Sequence, residues 1–518
     1  MIQIDGNSAS SSAAAPALVE HFSIDGLFGY RSVSFDSARA ATILIARNGS
    51  GKTTLVAALD AFLRGQISRF AGITFSKITC RLRGNTTNLV LNKVEVDQLT
   101  DIARHPDLAI NAKAWDVQPL ALLELVETVR GEKLSELYDN PTFQAIYTKL
   151  GYDGHRAKGL CEKMLSQLDD LNPSIALLRK AIGEALGDTE IVYLPTYRRI
   201  ELSIPQSDEP AYYPSRRRKR NVLSRLGVAR SGLYTADIQF GLGDISDRLK
   251  TLYSEMLAIS NSGYGKVSAN IINDLISGEY KTASPDASAR PTQEALEIFF
   301  NRIKQAERGH FTGPYRSFML SPNLKRIFTG DVPEDAAPFL TYFLEQLNSI
   351  IQQTRGTEEL VEAFINSCNN YLSNADDSID GYGVTDSYDN KQLIFNRRNF
   401  KVRVLSKTTN AEIPMESLSS GEKQMISLFA RLYLYPGNKL LLVDEPELSL
   451  SLDWQRKILV DVLRAPSCKQ VIAITHSPFI FDNELESYAG ALKLRVDQRE
   501  PSLFNESDLL GEMTEDDE

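Results

Sequence analysis

Apolar residues at Phe22, Ile24, Val33 and Phe35 recur at the two-residue spacing of half-buried strands and predict a short hairpin. A different pattern follows. Thr42 to Ala46 reads TILIA, an unbroken apolar run of the length expected for a buried strand. It leads directly into RNGSGKTT and then LVAALDAFLRG, so the predicted order is strand, glycine loop, helix. Leu120 to Gly187 carries helical periodicity broken at Gly131, Pro141 and Gly151, and Glu190 to Pro195 (EIVYLP) returns to strand. Residues 206–240 read as a loop-rich insertion containing SRRRKR from Ser215 to Arg220. Helical spacing resumes over Asp244–Ala258, Thr292–Arg308 and Phe339–Asn370. Asn374–Asp389 is rich in Asp, Gly, Ser and Asn and predicts a loop, and Lys401–Leu405 predicts a strand. Near the C-terminus the signals are dense again. SSGEKQMISLFARLYLY is a loop entering a helix, KLLLVDEPELSL a strand that ends in acids, and QVIAITHSP a strand with a histidine at its exit.

Composition adds limits to this picture. The chain has 518 residues, 42% hydrophobic and 24% charged, which is globular material and long enough for two or three structural units. Asp and Glu number 67 against 57 Lys and Arg, a net charge of -10 that argues against a chain coated in positive charge. It leaves room for local basic surfaces, and Tyr197, Arg198 and Arg199, with Arg216, Arg217, Arg218, Lys219 and Arg220, are candidates for contact with a nucleic-acid backbone or an acidic partner. The plainer reading of both groups is solvated charge. Cys80, Cys161, Cys368 and Cys468 lie far apart, without the spacing of a zinc or redox pair. The small and polar N-terminal stretch lacks the basic start and apolar core of a signal peptide, and no apolar run reaches the roughly 20 residues of a membrane span. The expectation is a reduced, cytoplasmic chain with no direct membrane span.

The chemistry concentrates in a few short segments. In Ala46-Arg47-Asn48-Gly49-Ser50-Gly51-Lys52-Thr53-Thr54, Gly49 and Gly51 let the backbone wrap a phosphate, and the following helix aims its first amides at the anion. Lys52 supplies positive charge for β- and γ-phosphates, and Thr53 a hydroxyl suited to Mg²⁺. The first glycine of the usual phosphate-loop pattern is replaced by Ala46. Asp444 is placed to orient Mg²⁺ through water, and Glu445 to polarise an attacking water, the arrangement that phosphoanhydride hydrolysis needs. His476 is a candidate for contact with the γ-phosphate or the water; it could instead cap its strand or support Glu445. Leu418 to Gln424 forms a second glycine-containing loop, in which Ser419 and Gly421 either bind phosphate or cap a helix.

Together these residues resemble an ABC-type ATPase head of the RecF, SMC and OLD-like group. ARNGSGKTT is similar to Walker A, LSSGEKQ to the ABC signature, LLLVDEPELSL to Walker B, Ser451-Leu452-Asp453 to the D-loop, and His476 to the switch histidine. The resemblance implies an α/β P-loop head assembled from both chain ends, with a large mainly α-helical insertion and no long coiled coil. It implies ATP held by Asn48, Gly49, Ser50, Gly51, Lys52, Thr53 and Thr54, Mg²⁺ near Thr53 and Asp444, and Ser419 and Gly421 acting from a second protomer. Gln66 is the candidate Q-loop equivalent, touching nucleotide and metal; its plainer reading is a turn glutamine. A homodimer or higher even-numbered oligomer follows. Within the group, DEPELSL, THSP and YLPTYRRIE resemble the PtuA-like ATPases of anti-phage systems, including retron-associated ones. That likeness implies a sensor or regulator of a separate HNH-type nuclease, with DNA, or a retron RNA–DNA and reverse transcriptase, as further candidate partners. Only 42 residues follow His476, too few for the nuclease domain of an OLD-like protein. A DNA-repair or chromosome-maintenance ATPase and a nucleotide-controlled scaffold with little turnover are the competing readings.

The expected organisation is a loose tail over 1–18, an N-terminal ATPase lobe over 19–110, a helical insertion over 111–187 and a return strand over 188–205. A mainly helical insertion with the basic segment then spans 206–395, a C-terminal ATPase lobe 396–500 and an acidic tail 501–518.

Overall fold

The computed structural model describes residues 12–47, 49–130, 132, 134–138, 140–195, 233, 242–278, 290–310, 324–329, 332–373 and 390–496. Asn48, the basic groups at 197–199 and 216–220, the 374–389 loop and the acidic tail lie outside them. The chain divides into two units, Met1–Ile238 with Gly437–Glu518, and Gln239–Pro436.

The first unit contains two five-stranded sheets. Strands β1 (Val19–Leu27) and β2 (Arg31–Asp36) form the expected hairpin, with Phe22 opposite Phe35 and Ile24 opposite Val33. In β2 alternate residues Arg31, Val33 and Phe35 are buried, as in a sheet with one covered face. Strand β3 is Ala41–Ile45, followed by helix α1 (Lys52–Leu63), β4 (Lys77–Leu82) and β5 (Leu89–Asn92). Helices α2 (Lys93–Thr100), α3 (Pro106–Trp115), α4 (Pro119–Val129), α5 (Leu134–Leu137), α6 (Pro141–Lys149), α7 (Gly154–Leu171) and α8 (Pro173–Leu186) come next, then β6 (Glu190–Leu194). The second unit holds α9 (Leu242–Ser277), α10 (Gln293–His310), α11 (Leu324–Phe328) and α12 (Ala337–Leu372). It also holds a small antiparallel sheet of β7 (Lys391–Asn396), β8 (Lys401–Ser406) and β9 (Glu412–Ile413), then α13 (Ser420–Tyr433). The chain returns to the first unit with β10 (Lys439–Asp444), α14 (Leu452–Arg464), β11 (Cys468–Thr475), β12 (Ala489–Ala491) and β13 (Lys493–Val496).

Sheet order explains the two hydrophobic patterns. The antiparallel sheet runs β13-β2-β1-β4-β5. The other runs β12-β3-β11-β10-β6, with parallel pairing throughout. Every residue of β10 is buried, as are the last six of β11, which is why KLLLVD and QVIAIT read as continuous rather than alternating runs. Two polar residues inside these runs are satisfied locally. The Gln470 side-chain amide accepts from the Leu18 and Val19 amides, each at 2.8 Å, and donates to the Val19 carbonyl at 3.1 Å. Buried Lys439 donates to the Gly437 carbonyl at 3.1 Å and lies 3.9 Å from Glu190.

Three expectations about organisation differ from what is seen. Residues 12–18, assigned to the loose tail, are packed: Ala13 and Ala17 are buried, and Gln470 holds the backbone at Leu18. The 111–187 segment shares one continuous core with the sheets, because α4, α7 and α8 each turn an apolar stripe inward through residues such as Leu122, Val126, Leu165 and Ile182. The division that was placed at 395/396 falls at 436/437, because β7 and β8 form one hairpin across 396 and β7 packs on α12.

Candidate functional site

Parallel pairing brings three strand ends to one edge. Ile45 of β3 pairs with Thr475 of β11, and Asp444 of β10 pairs with Ile474. The phosphate loop after β3, the acids after β10 and His476 after β11 therefore leave the sheet side by side. Crevices outside the carboxyl ends of parallel strands are where open α/β sheets hold ligands. Two backbone bonds tie the edge together: Ala46 N donates to the Thr475 carbonyl at 3.2 Å and Glu445 N to the Ile474 carbonyl at 2.8 Å.

The loop has the geometry of an anion cradle. Gly49 and Gly51 adopt φ of 80° and 91°, where an L side chain is strained. A Cβ at Gly49 would meet nothing within 4 Å, so that face of the loop is open. Gly51 caps α1, so the helix N-terminus begins at Lys52 and Thr53, and a helix N-terminus favours an anion. The Ser50 hydroxyl is buried and has no hydrogen-bond partner among the described residues.

Lys52 is buried, and its ammonium donates to Glu445 Oε1 at 2.8 Å. Glu445 itself has φ 53°, a left-handed conformation that is uncommon outside glycine and that strained functional positions often show. His476 lies beside two acids. Its Nδ1 lies 2.9 Å from Glu447 Oε1 and 3.8 Å from Glu445 Oε1, and its ring is about half exposed. Its backbone N also donates to Glu447 Oε1, at 3.0 Å. Asp444 is buried at the end of β10, against which α1 packs. The structure thus brings together Gly49, Ser50, Gly51, Lys52, Thr53, Thr54, Asp444, Glu445 and His476 at one sheet edge.

Gln66 does not join them. A 12-residue α1 separates it from Lys52, a rise of about 18 Å along the axis. Both ends of its amide are engaged there, Nε2 donating to Thr128 at 3.2 Å and Oε1 accepting from Arg69 at 2.8 Å. This supports the turn-glutamine reading and removes Gln66 from the candidate metal and nucleotide residues. Around it lies a buried ionic network that anchors the far end of α1. Glu127 accepts from the Ile67 and Ser68 amides and the Ser68 hydroxyl, and pairs with Arg179. Burial pushes the Glu127 carboxyl up, with Arg179 and Ser68 offsetting part of the rise. Burial also acts upward on Asp60, but the guanidinium groups of Arg64 and Arg69 outweigh it and hold that carboxyl below the usual range.

Ser419 and Gly421 belong to the second unit. Ser419 is the N-cap of α13 in a reciprocal capping box: its hydroxyl accepts from Glu422 N at 3.3 Å, and its amide donates to Glu422 Oε2 at 2.7 Å. Glu422 in turn pairs with Lys391 at 2.9 Å. The helix-cap reading of this loop is therefore realised within the chain. The remaining amides at the helix start keep the anion-binding character of such a terminus. Ser451 caps α14 one way only, its hydroxyl accepting from Trp454 N at 3.4 Å.

Two residues of the edge carried no signal in the linear reading. Arg31 opens β2, donates to the Gly49 carbonyl at 2.7 Å and lies 5.2 Å from the ring centroids of both Phe28 and Tyr30. The aromatic turn LFGYR is the pattern that could have flagged it. Glu447 is the third acid of DEPE, hidden behind the two that drew the metal and water assignments. The cysteines are free, and burial pushes the Cys161 and Cys468 thiols up to about 12, so neither is poised as a thiolate.

The donor chemistry fits a magnesium nucleotide. Among the described residues no three His, Cys, Asp or Glu side chains cluster as a metal cage. A hydroxyl and one or two carboxylates, completed by phosphate oxygens, are the sparse protein contribution that Mg²⁺ takes in phosphoryl-transfer sites. Thr53 and Asp444 are of that kind. Among the same residues, no helix is long and apolar enough to cross a membrane.

Fold and site define a P-loop nucleotide-binding protein of the ATPase class. Residues 197–482 match the family described as "AAA domain, putative AbiEii toxin, Type IV TA system". The match covers more than half of the chain, and the protein belongs to this family. The matched region includes the α13 cap, Asp444, Glu445 and His476, and begins after the phosphate loop. No curated protein matches the chain.

Proposed function

We propose that this chain binds and hydrolyses ATP with Mg²⁺, that two copies act head to tail, and that the dimer is a sensor or regulator in an anti-phage defence complex. The observation that carries the hydrolytic part is the continuous set Lys52–Glu445–His476–Glu447 at the strand edge, beside an open glycine cradle. Lys52 and the loop amides hold the phosphates. Thr53 and Asp444 hold Mg²⁺, which when bound neutralises and polarises phosphate oxygens. Glu445 polarises the attacking water and His476 contacts the γ-phosphate side. Ser419 and Gly421 act from the second copy, through the helix start that their capping box sets up. The family's description, a putative toxin of a toxin–antitoxin system, favours a defence role. In this reading the controlled effector is a separate HNH-type nuclease. DNA, or a retron RNA–DNA with its reverse transcriptase, completes the proposed assembly, working in the cytoplasm.

The test is purification from the native host under ATP, with every bound protein and nucleic acid identified, alongside steady-state turnover. A bound nuclease and Mg²⁺-dependent turnover lost in Glu445→Gln are expected. Turnover stimulated by DNA with no bound effector would assign the protein to DNA repair instead. Full turnover in Glu445→Gln would overturn the assignment of Glu445.

A further inference from the structure

The carboxylate of Glu447 meets His476 twice, through one hydrogen bond and one close side-chain contact. Oε1 accepts from the backbone N of His476 at 3.0 Å and faces its Nδ1 at 2.9 Å. Oε2 is buried with no partner among the described residues, and the side chain is only 5% exposed. An ionised carboxylate can only accept, so the nitrogen that faces it must carry the proton. The same loop is tied a second time. Gln455 of α14 donates to the carbonyls of Glu447 at 3.4 Å and Leu450 at 3.0 Å, and accepts from the Ser477 hydroxyl at 2.7 Å. The segment after β10 and the segment after β11 are thus joined on both sides of His476.

Resting on the ATPase reading above, we propose that Glu447 is a positioning residue: it holds His476 in the Nδ1–H tautomer and fixes its loop, so that Nε2 is the ring nitrogen turned to the site, accepting from the attacking water while the ring is neutral and donating to the terminal phosphate only as the imidazolium. A carboxylate behind an imidazole sets both tautomer and orientation, and it stabilises the imidazolium if the ring takes a proton. Glu445 is too far from Nδ1, at 3.8 Å, to serve this purpose, and it is engaged by Lys52. The two acids therefore divide the work. Glu445 faces the phosphate loop and Glu447 faces the histidine.

The first measurement needs no variant of Glu447. The chain has five histidines. Labelling them with ¹⁵N and assigning His476 by its absence from His476→Gln reads the tautomer directly in the full-length protein. A neutral ring protonated at Nδ1 is expected, and a ring protonated at Nε2 overturns the proposal. In Glu447→Ala the Nδ1–H preference should be lost. The kinetic counterpart is a drop in kcat of about 10- to 100-fold, the usual cost of removing the partner that orients a functional side chain, with the ATP KM within twofold. The double variant Glu447→Ala/His476→Ala should be no slower than His476→Ala alone. Multiplying losses would show that Glu447 acts independently of His476 and would overturn the idea. If the wild type hydrolyses no ATP, the ATPase reading fails, whereas the tautomer measurement still judges Glu447.

Discussion

Glu445→Gln should weaken the fold and tighten the ligand at once. The side chains of the Lys52–Glu445 pair, 2.8 Å apart, are 6% and 19% exposed, so water screens it little. Charge-assisted hydrogen bonds of this kind contribute about 1.5–3 kcal/mol, and the nucleotide-free variant should lose about that much stability. The nucleotide reverses the sign. A terminal phosphate that arrives at Lys52 meets the Glu445 carboxylate at the same ammonium. Two unit negative charges about 5 Å apart repel by about 3 kcal/mol at an effective dielectric of about 20. The amide that replaces the carboxylate in the variant is neutral and nearly isosteric, so that repulsion disappears and Glu445 no longer competes with the phosphate for Lys52. Partial realisation of the gain tightens Kd by about tenfold to a hundredfold, at about 1.4 kcal/mol per factor of ten.

Isothermal titration with a non-hydrolysable ATP analogue and Mg²⁺, together with urea unfolding of the nucleotide-free protein, measures both signs. Because the pair is mostly buried, raising salt from low to moderate concentration should shrink the difference only slightly. Turnover in the same variant should fall by about 10²–10⁴-fold, the usual contribution of a positioned base. Equal or weaker analogue binding in the variant would refute the reasoning, because it would mean that Glu445 and the phosphate do not compete for Lys52.

Glu127→Ala leaves Arg179 and two backbone amides without their buried acceptor, and should cost about 3–5 kcal/mol in urea unfolding; a loss under about 1 kcal/mol would contradict the network. Asp60 makes the opposite pH argument to Glu127. Its carboxyl is held low, so its contribution is fully present above the ordinary value of about 3.9 and is lost as pH falls through the lowered one, whereas the raised Glu127 favours the fold more as pH falls. Asp60→Asn should therefore flatten the fall of melting temperature below about pH 4, and an unchanged acid limb would refute it. Gly51→Ala places a Cβ at φ 91° and 3.4 Å from an Arg31 nitrogen, and should cost about 1–2 kcal/mol of stability and weaken analogue binding at least tenfold; wild-type affinity would show that the loop tolerates another geometry.

Local periodicity and short spacing carried the parts of this fold that depend on neighbours in sequence. The β1–β2 hairpin follows from Phe22, Ile24, Val33 and Phe35, and the parallel strands follow from TILIA, KLLLVD and QVIAIT, because a strand covered on both faces admits few polar residues. What stayed hidden depends on which charges are withdrawn from water, and that is a tertiary matter. Glu127 and Arg179 lie 52 residues apart, each looking like ordinary helix surface until α4 and α8 share a core. Gln66 failed for a reason the sequence does contain. Helix α1 is long enough to carry any residue beyond Leu63 away from the phosphate loop, so proximity in sequence to Lys52 was the wrong measure. Glu447 was overlooked for the converse reason: it stands two residues from Glu445, yet φ 53° at Glu445 lets two nearby acids serve different partners. A motif names the residue types near a phosphate. The backbone turn within it decides which acid faces Lys52 and which faces His476, and that division makes Glu445→Gln and Glu447→Ala separable by experiment.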